Sequence, residues 1–449
     1  MRALLRLAWP IVISRASQSV IGLCDALMVA HLGEAALAAT TAGALNSFAF
    51  FILPMGTVFI VSSFSSQFFG KGDLAGARRY GWYGLGVAAA TQLVSLALLP
   101  LLGTVLPYFG FPPEVLGPIH GYLSIRLLAS GVVVGVEALA NYYGGLGNTR
   151  LPMLASLAAM VLNVGGNYLL IDGRLGLPAL GVNGAAWASV LASSVAFAGL
   201  LAVFLWHGKR QGEVVPKLRL EELWRMLQVG LPSGFNWFFE FFAFIFFVNV
   251  VVAGLGTTPL AAFMAVIQIN SVSFMPAFAV ASAGAIVVGQ AIGARAHDEV
   301  PGAVRLTFLV SGTWQAVVGL SYLFVPGLLF SPFARGENTT ALLLVGAGML
   351  RLSTAWQLFD SAAMVLAEAL RAAGDTAFTL WVRIALGWLV FVPGSYLTVR
   401  HFGGGEVGAM VWMVAYMSLL ALTLFVRFRT GAWRSIELAV EPMPADASS

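Results

Sequence analysis

The sequence predicts an all-α polytopic membrane protein, with twelve transmembrane helices in two parallel six-helix repeats related by a pseudo-twofold axis along the membrane normal. Three observations carry this expectation. Among 449 residues only 24 are Lys or Arg and 20 are Asp or Glu, which is 10% of the chain where a soluble domain carries about 25%. Hydrophobic residues reach 59% and mean hydropathy is +0.87, more apolar surface than a water-soluble core can hide. The second half of the chain also repeats the first. This composition excludes a soluble enzyme, a disordered chain and a nucleic-acid binder.

Charge, Pro and Gly clusters divide the chain into its elements. Span one, 8–31, follows Arg2 and Arg6, and its apolar run continues past Arg15 to Ala30. No small-residue cleavage site interrupts it, so a membrane helix is predicted rather than a removable leader. Spans 42–67 and 80–106 flank the basic turn at Lys71, Arg78 and Arg79. Spans 119–143, 151–171 and 182–206 complete a six-helix lobe over 1–206. Residues 207–227 form the longest charged stretch and read as a cytoplasmic linker. The second lobe, 228–427, holds spans 228–254, 260–289, 303–330, 341–369, 376–399 and 406–426, followed by a cytoplasmic tail, 428–449. Cys24 is the single cysteine, which excludes an internal disulfide or a cysteine metal cluster and reads as a small apolar residue of span one.

Basic residues set the orientation. With the N-terminus inside, the cytoplasmic side receives seventeen Lys and Arg, and the outside only Arg174, Arg335 and Arg400. The positive-inside rule therefore places both termini in the cytoplasm of a multi-pass protein. The repeat is visible in short matches: Leu32-Gly33 returns as Leu255-Gly256, and Gln67 to Gly70 returns as Gln290 to Gly293, both at an offset of 223. Gly147-Asn148-Thr149 answers Gly374-Asp375-Thr376, and Gly184-Ala185 answers Gly408-Ala409. Duplication of six helices keeps both copies in one orientation, a plan that suits alternating access.

A charged group near a helix centre costs at least about 2.5–3.5 kcal/mol, so intramembrane acids are functional candidates. Arg15, Glu137, Glu368 and Arg383 lie near cytoplasmic ends and are expected to snorkel. Arg126 and Arg351 lie about two turns inside the outer ends of matching spans, and their expected role is structural. Asp25, Glu240 and Asp360 remain. At 1.5 Å per residue, Glu240 and Asp360 share a depth of about 16–18 Å from the cytoplasmic ends. Asp25 lies about 12 Å from the outer end of span one, level with Asn163 and its i+4 neighbour Asn167. A carboxylate with two amides offers oxygens to a small hard cation, or an acid that holds a proton. Each half thus has one candidate cation site. The run from Phe235 to Phe242 is strongly aromatic, either a lipid-facing face or a wall suited to flat lipophilic cations. Asn236, Trp237, Phe239, Gln268 and Gln357 are the predicted substrate-cavity residues, and Pro10 the predicted hinge. All five histidines fall in loops or at span ends, which leaves no buried metal triad or Ser-His pair and argues against an enzyme.

Pro10 with Asp25, Met28 and Leu32-Gly33, Gly144 to Arg150, Asn163-Val-Gly-Gly-Asn167, Leu231-Pro232-Ser233-Gly234 before Glu240, and Gln357-Leu358-Phe359-Asp360 before Leu370 to Thr376 together resemble the multidrug and toxic compound extrusion (MATE) family, in its bacterial NorM-like branch. Pro10 with Asp25, Met28 and Leu32-Gly33 resembles the family's first span, although Ala26 stands where a Thr is usual. The stretch from Gly144 to Arg150 resembles its fourth-span exit, and Asn163-Val-Gly-Gly-Asn167 continuing to Gly184-Ala185 its fifth and sixth segments. Leu231-Pro232-Ser233-Gly234 leading to Glu240 resembles the seventh, and Gln357-Leu358-Phe359-Asp360 followed by Leu370 to Thr376 the tenth. The resemblance implies a secondary multidrug antiporter in a bacterial inner membrane. It would export amphipathic cationic drugs in exchange for inward Na+ or H+, without a cofactor, as a monomer in the lipid bilayer. It also implies coupling sites at Asp25, Asn163 and Asn167, and at Glu240 and Asp360. Some relatives carry Asp where Asn167 stands. A flippase for lipid-linked saccharides shares this architecture, but would need cations where the central charges here are acidic.

Overall fold

The computed structural model describes residues 1–210, 212, 216–333 and 339–439. Arg335 and parts of the linker and tail lie outside the described residues. No strand occurs among those described. The spans are α1 Arg2–Leu32, α2 Glu34–Lys71, α3 Leu74–Phe109, α4 Pro113–Leu127, α5 Ser130–Gly145, α6 Arg150–Leu170 and α7 Val182–Arg210. The chain continues with α8 Leu220–Leu255, α9 Thr257–Gly293, α10 His297–Phe324, α11 Thr340–Ala373, α12 Thr376–Arg400 and α13 Gly405–Arg429. Eleven of these described helices are long and apolar enough to cross a membrane, and α4 with α5 forms a bent pair that brings the count to twelve.

That bent pair covers the span expected over 119–143 and breaks it in two. Pro113 starts α4 at its first position, where a missing N–H costs nothing. The chain then bends by 48°, with Ala129 outside helical geometry at φ −120°. The carbonyl of Leu127 released at the break accepts from Ser95 Oγ at 2.7 Å. Gln92 Oε1 accepts from the Gly131 N–H at 2.9 Å. Side chains of α3 thus satisfy backbone groups that lipid could not.

The repeat also appears in backbone geometry. α1 and α8 each tighten into a final 3₁₀ turn, and each ends on a glycine: Gly33 at φ +106° and Gly256 at φ +111°. A side chain is disfavoured at such angles, so only glycine reverses the chain there without strain.

The chain divides into two compact units. The first comprises Leu5–Val61 and Arg78–Phe238, and the second comprises Met1–Leu4, Ser62–Ala77 and the chain from Phe239 onward. In the first, α6 packs along α7, and α4 packs on α2 and α7. Val29, Ala39, Ile119, Tyr122, Ala185 and Ala186 fill the contact. The alanines among them allow close backbone approach, and in lipid that approach supplies the dispersion that a hydrophobic drive supplies in water.

In the second unit α9 packs on α10 and α11, and α11 on α13. The C-terminal end of α2 crosses α9 in the same unit. A Cβ on Gly70 would fall on the main-chain oxygen of Gln290, and one on Gly293 on that of Gln67. Repeat-related glycines therefore let repeat-related backbones touch.

Candidate functional site: two buried acidic clusters

In the first unit α1, α6 and α7 bring Asp25, Asn163, Asn167 and Ser189 together. Asn163 and Asn167 are four residues apart on one face of α6, and both are fully buried. Asn167 Nδ2 donates to Asp25 Oδ1 at 2.6 Å and lies 3.4 Å from Asn163 Oδ1. Ser189 Oγ donates to Asp25 Oδ2 at 3.2 Å and accepts from Asn163 Nδ2 at 3.0 Å. Asp25 itself is 7% exposed and has no salt bridge among the described residues. Its charge is met by neutral donors instead. Asn167 Oδ1 is buried without a hydrogen-bond partner, an oxygen available to a small cation beside the carboxylate. Sequence reasoning found the acid and both amides but missed Ser189. A serine in a transmembrane helix commonly bonds its own backbone, so nothing marked this one.

Ion pairs account for most of the other intramembrane charges, in place of the expected snorkelling. Arg15 Nη2 meets Glu137 Oε1 at 3.1 Å with both side chains largely buried, and Arg371 Nη2 meets Glu368 Oε2 at 2.5 Å. Depth along each helix placed these groups near the ends, but depth says nothing of which faces meet. Arg126 on α4 lies with its guanidinium 5.9 Å from the Phe51 ring centre, and its Nε is buried without a partner.

In the second unit Glu240 on α8 forms a salt bridge with Arg383 on α12. Asp360 on α11 accepts from Gln315 Nε2 at 3.2 Å, leaving Gln315 Oε1 buried and unpartnered. Asp360 has no salt bridge among the described residues, although Arg383 lies within electrostatic reach of it. Gln357 Nε2 donates to Asn270 Oδ1 at 3.1 Å, and Asn270 Nδ2 to Ser353 Oγ at 3.3 Å. Gln268 is exposed on α9 and takes no part in that chain.

Among the other predicted residues, Trp237 stacks on Phe59 within the first unit, with ring centres 5.2 Å apart. Asn236 is buried, and its Oδ1 has no partner. Phe239 belongs to the second unit and accepts at its carbonyl from Trp388 Nε1 at 3.2 Å. Pro10 lies inside an unbroken helix, with its carbonyl accepting from Ser14 Oγ at 3.0 Å. Near the C-terminal ends of α1 and α6, His31 Nε2 lies 2.8 Å from Asp172 Oδ1. The His31 hydrogen bond, joined by one from Arg174, holds the Asp172 carboxyl below the usual carboxylate range.

A family model described as MatE matches residues 10–169 and 232–397. The chain is 30% identical to a probable multidrug resistance protein NorM of Pseudomonas putida, across 97% of this chain and 94% of that protein. It is 25% identical to a probable NorM of Thermotoga maritima, across 96% and 93% respectively. Its fold is similar to that of a MATE protein crystallised in complex with MaL6, with a TM-score of 0.85, 21% identity and 96% of each chain covered. It is also similar, with a TM-score of 0.84, 20% identity and 96% of each chain covered, to a MOP-superfamily transporter from Pyrococcus furiosus. That protein is described as having a binding pocket of reverse polarity that suggests a different function.

Proposed function

The chain belongs to the MatE family, and from that premise we propose that it is a secondary multidrug antiporter, exporting amphipathic cationic compounds in exchange for Na+ or H+ entering the cell. The lobes 1–206 and 228–427 would open alternately to either side of a bacterial inner membrane, with both termini cytoplasmic and the protein acting as a monomer. Asp25, Asn163 and Asn167 form one coupling site, now joined by Ser189. Asp360 and Glu240 form the other. The observation that carries this reading is Asp25, a buried carboxylate held by an amide and a hydroxyl with no salt bridge among the described residues.

Such a group is costly when charged and empty, because low-dielectric surroundings replace its hydration. Binding a proton or Na+ removes that cost. The ion therefore favours whichever lobe arrangement closes over the filled site, and a ligand shifts the balance only through such differential affinity. Drug and ion compete for the protein, so the gradient of one moves the other. A tenfold ion gradient supplies about 1.4 kcal/mol, enough for a tenfold drug gradient at one-for-one exchange. That exchange of monovalent cations is electroneutral, and each additional ion adds about 2.3 kcal/mol per 100 mV.

The reading is tested with the purified protein in proteoliposomes, a fluorescent lipophilic cation, and sodium and proton gradients imposed separately. Counterflow driven by at least one gradient is expected. No counterflow under either gradient, from protein that still binds the dye, contradicts it.

A further inference from the structure

Glu240 is a paired acid in this protein. Its partner Arg383 is the more buried of the two, with 11% of its side chain exposed against 37% for Glu240, so the acid retains an open side. The pair stands at a distorted place in both helices. α12 widens into a π-helical turn over Ala385–Phe391, two residues beyond Arg383, and α8 does so over Phe247–Val252, two turns beyond Glu240. Phe247 and Phe391 join these turns, with ring centres 4.8 Å apart. Trp388, within the α12 turn, binds the carbonyl of Phe239, next to Glu240. π-Turns are uncommon and concentrate at functional sites.

The pair is also incompletely satisfied. Arg383 Nε is buried with no acceptor, whereas a purely structural buried arginine needs its donors filled to offset desolvation. Asp360, on the neighbouring α11, has only the Gln315 amide.

We propose that Arg383 is a specificity-determining residue of the exchange, a resident guanidinium that pairs with Glu240, leaves Asp360 as the carboxylate of this cluster without a salt bridge among the described residues, and so favours singly charged cations. This rests on the antiporter reading and sharpens it. Without Arg383 the unit would present two acids and would favour a dication. Removing one charge of a close pair changes the binding of a third charge by about tenfold or more.

The test compares native protein with Arg383→Gln, Arg383→Lys and the double variant Glu240→Gln/Arg383→Gln. Equilibrium binding of a mono-quaternary and a bis-quaternary ammonium probe is measured in detergent, and exchange of both in proteoliposomes. Arg383→Gln is expected to raise the preference for the dication about tenfold or more, Arg383→Lys to keep the native preference, and the double variant to lose the gain. An unchanged preference in Arg383→Gln overturns the proposal, as does an equal rise in the double variant. If Arg383→Gln does not fold, Arg383→Met replaces it in the same comparison: a rise of about tenfold or more in dication preference is expected, and an unchanged preference overturns the proposal. Native protein that binds both probes but exchanges neither defeats the antiporter reading, while the binding comparison still tests Arg383.

Discussion

Asn167 donates to Asp25 across 2.6 Å while its own carbonyl oxygen is buried without a partner. An amide that turns its N–H to a carboxylate must turn its oxygen elsewhere. Here the oxygen is left in a place from which water is excluded, beside a negative charge. In the antiporter reading proposed above, a small cation held by Asp25 and this oxygen would complete the arrangement.

Ser189 supports that arrangement from α7. In Ser189→Ala, Asp25 loses a donor and Asn163 Nδ2 loses its acceptor, both in a buried setting. The expected cost is about 1–3 kcal/mol of stability, read as a lower thermal midpoint in detergent, with weaker dependence of transport on the driving ion. An unchanged midpoint and unchanged ion dependence would remove Ser189 from the site.

Arg15 and Glu137 test the ion-pair assignment. Glu137→Ala leaves a largely buried guanidinium without its carboxylate and should cost about 3–5 kcal/mol, whereas the double variant Arg15→Leu/Glu137→Leu should recover most of that loss. Thermal unfolding of the three proteins in detergent checks it. Equal loss in single and double variants would mean that the pair contributes packing alone.

The crossing of α2 and α9 gives a steric prediction. Gly293→Ala and Gly70→Ala each set a methyl group against a main-chain oxygen that cannot rotate away, so each should cost about 1–3 kcal/mol or more. At Gly302 an added methyl group would meet no atom beyond the helix itself, so Gly302→Ala should be neutral or slightly stabilising. Expression and thermal midpoint distinguish these outcomes.

His31 and Asp172 supply a pH dependence at the C-terminal ends of α1 and α6. Hydrogen bonding from His31, then Arg174, lowers the Asp172 carboxyl. A carboxyl lowered on folding stabilises above its ordinary range, and that contribution disappears as pH falls through the depressed value. The midpoint difference between native protein and His31→Ala should therefore be present at neutral pH and vanish in strong acid. A difference that persists unchanged in strong acid would show that His31 acts through packing.

Much of this molecule was legible in its sequence because lipid imposes simple rules. Backbone groups in oil must pair within their own helix, so each span announces itself as a long apolar run. Asp25, Asn163 and Asn167 could be grouped because isolated polar residues at one depth on adjacent spans are costly to leave apart. The break at Ala129 was not legible: no proline stands there, and the side chains that stabilise it, Gln92 and Ser95, come from another helix. Nor were the partners of Arg15 and Glu240, since helix rotation decides which charges meet and a run of apolar residues leaves that rotation undefined.

The central claim is that filling and emptying Asp25 drives the exchange. The most direct measurement is ion-gradient-driven counterflow of a lipophilic cation in proteoliposomes containing Asp25→Asn, beside equilibrium binding of the same cation in detergent. The account predicts that binding stays within about tenfold of native while gradient-driven counterflow is lost. Counterflow at the native rate from a protein with no carboxylate at that position would contradict it.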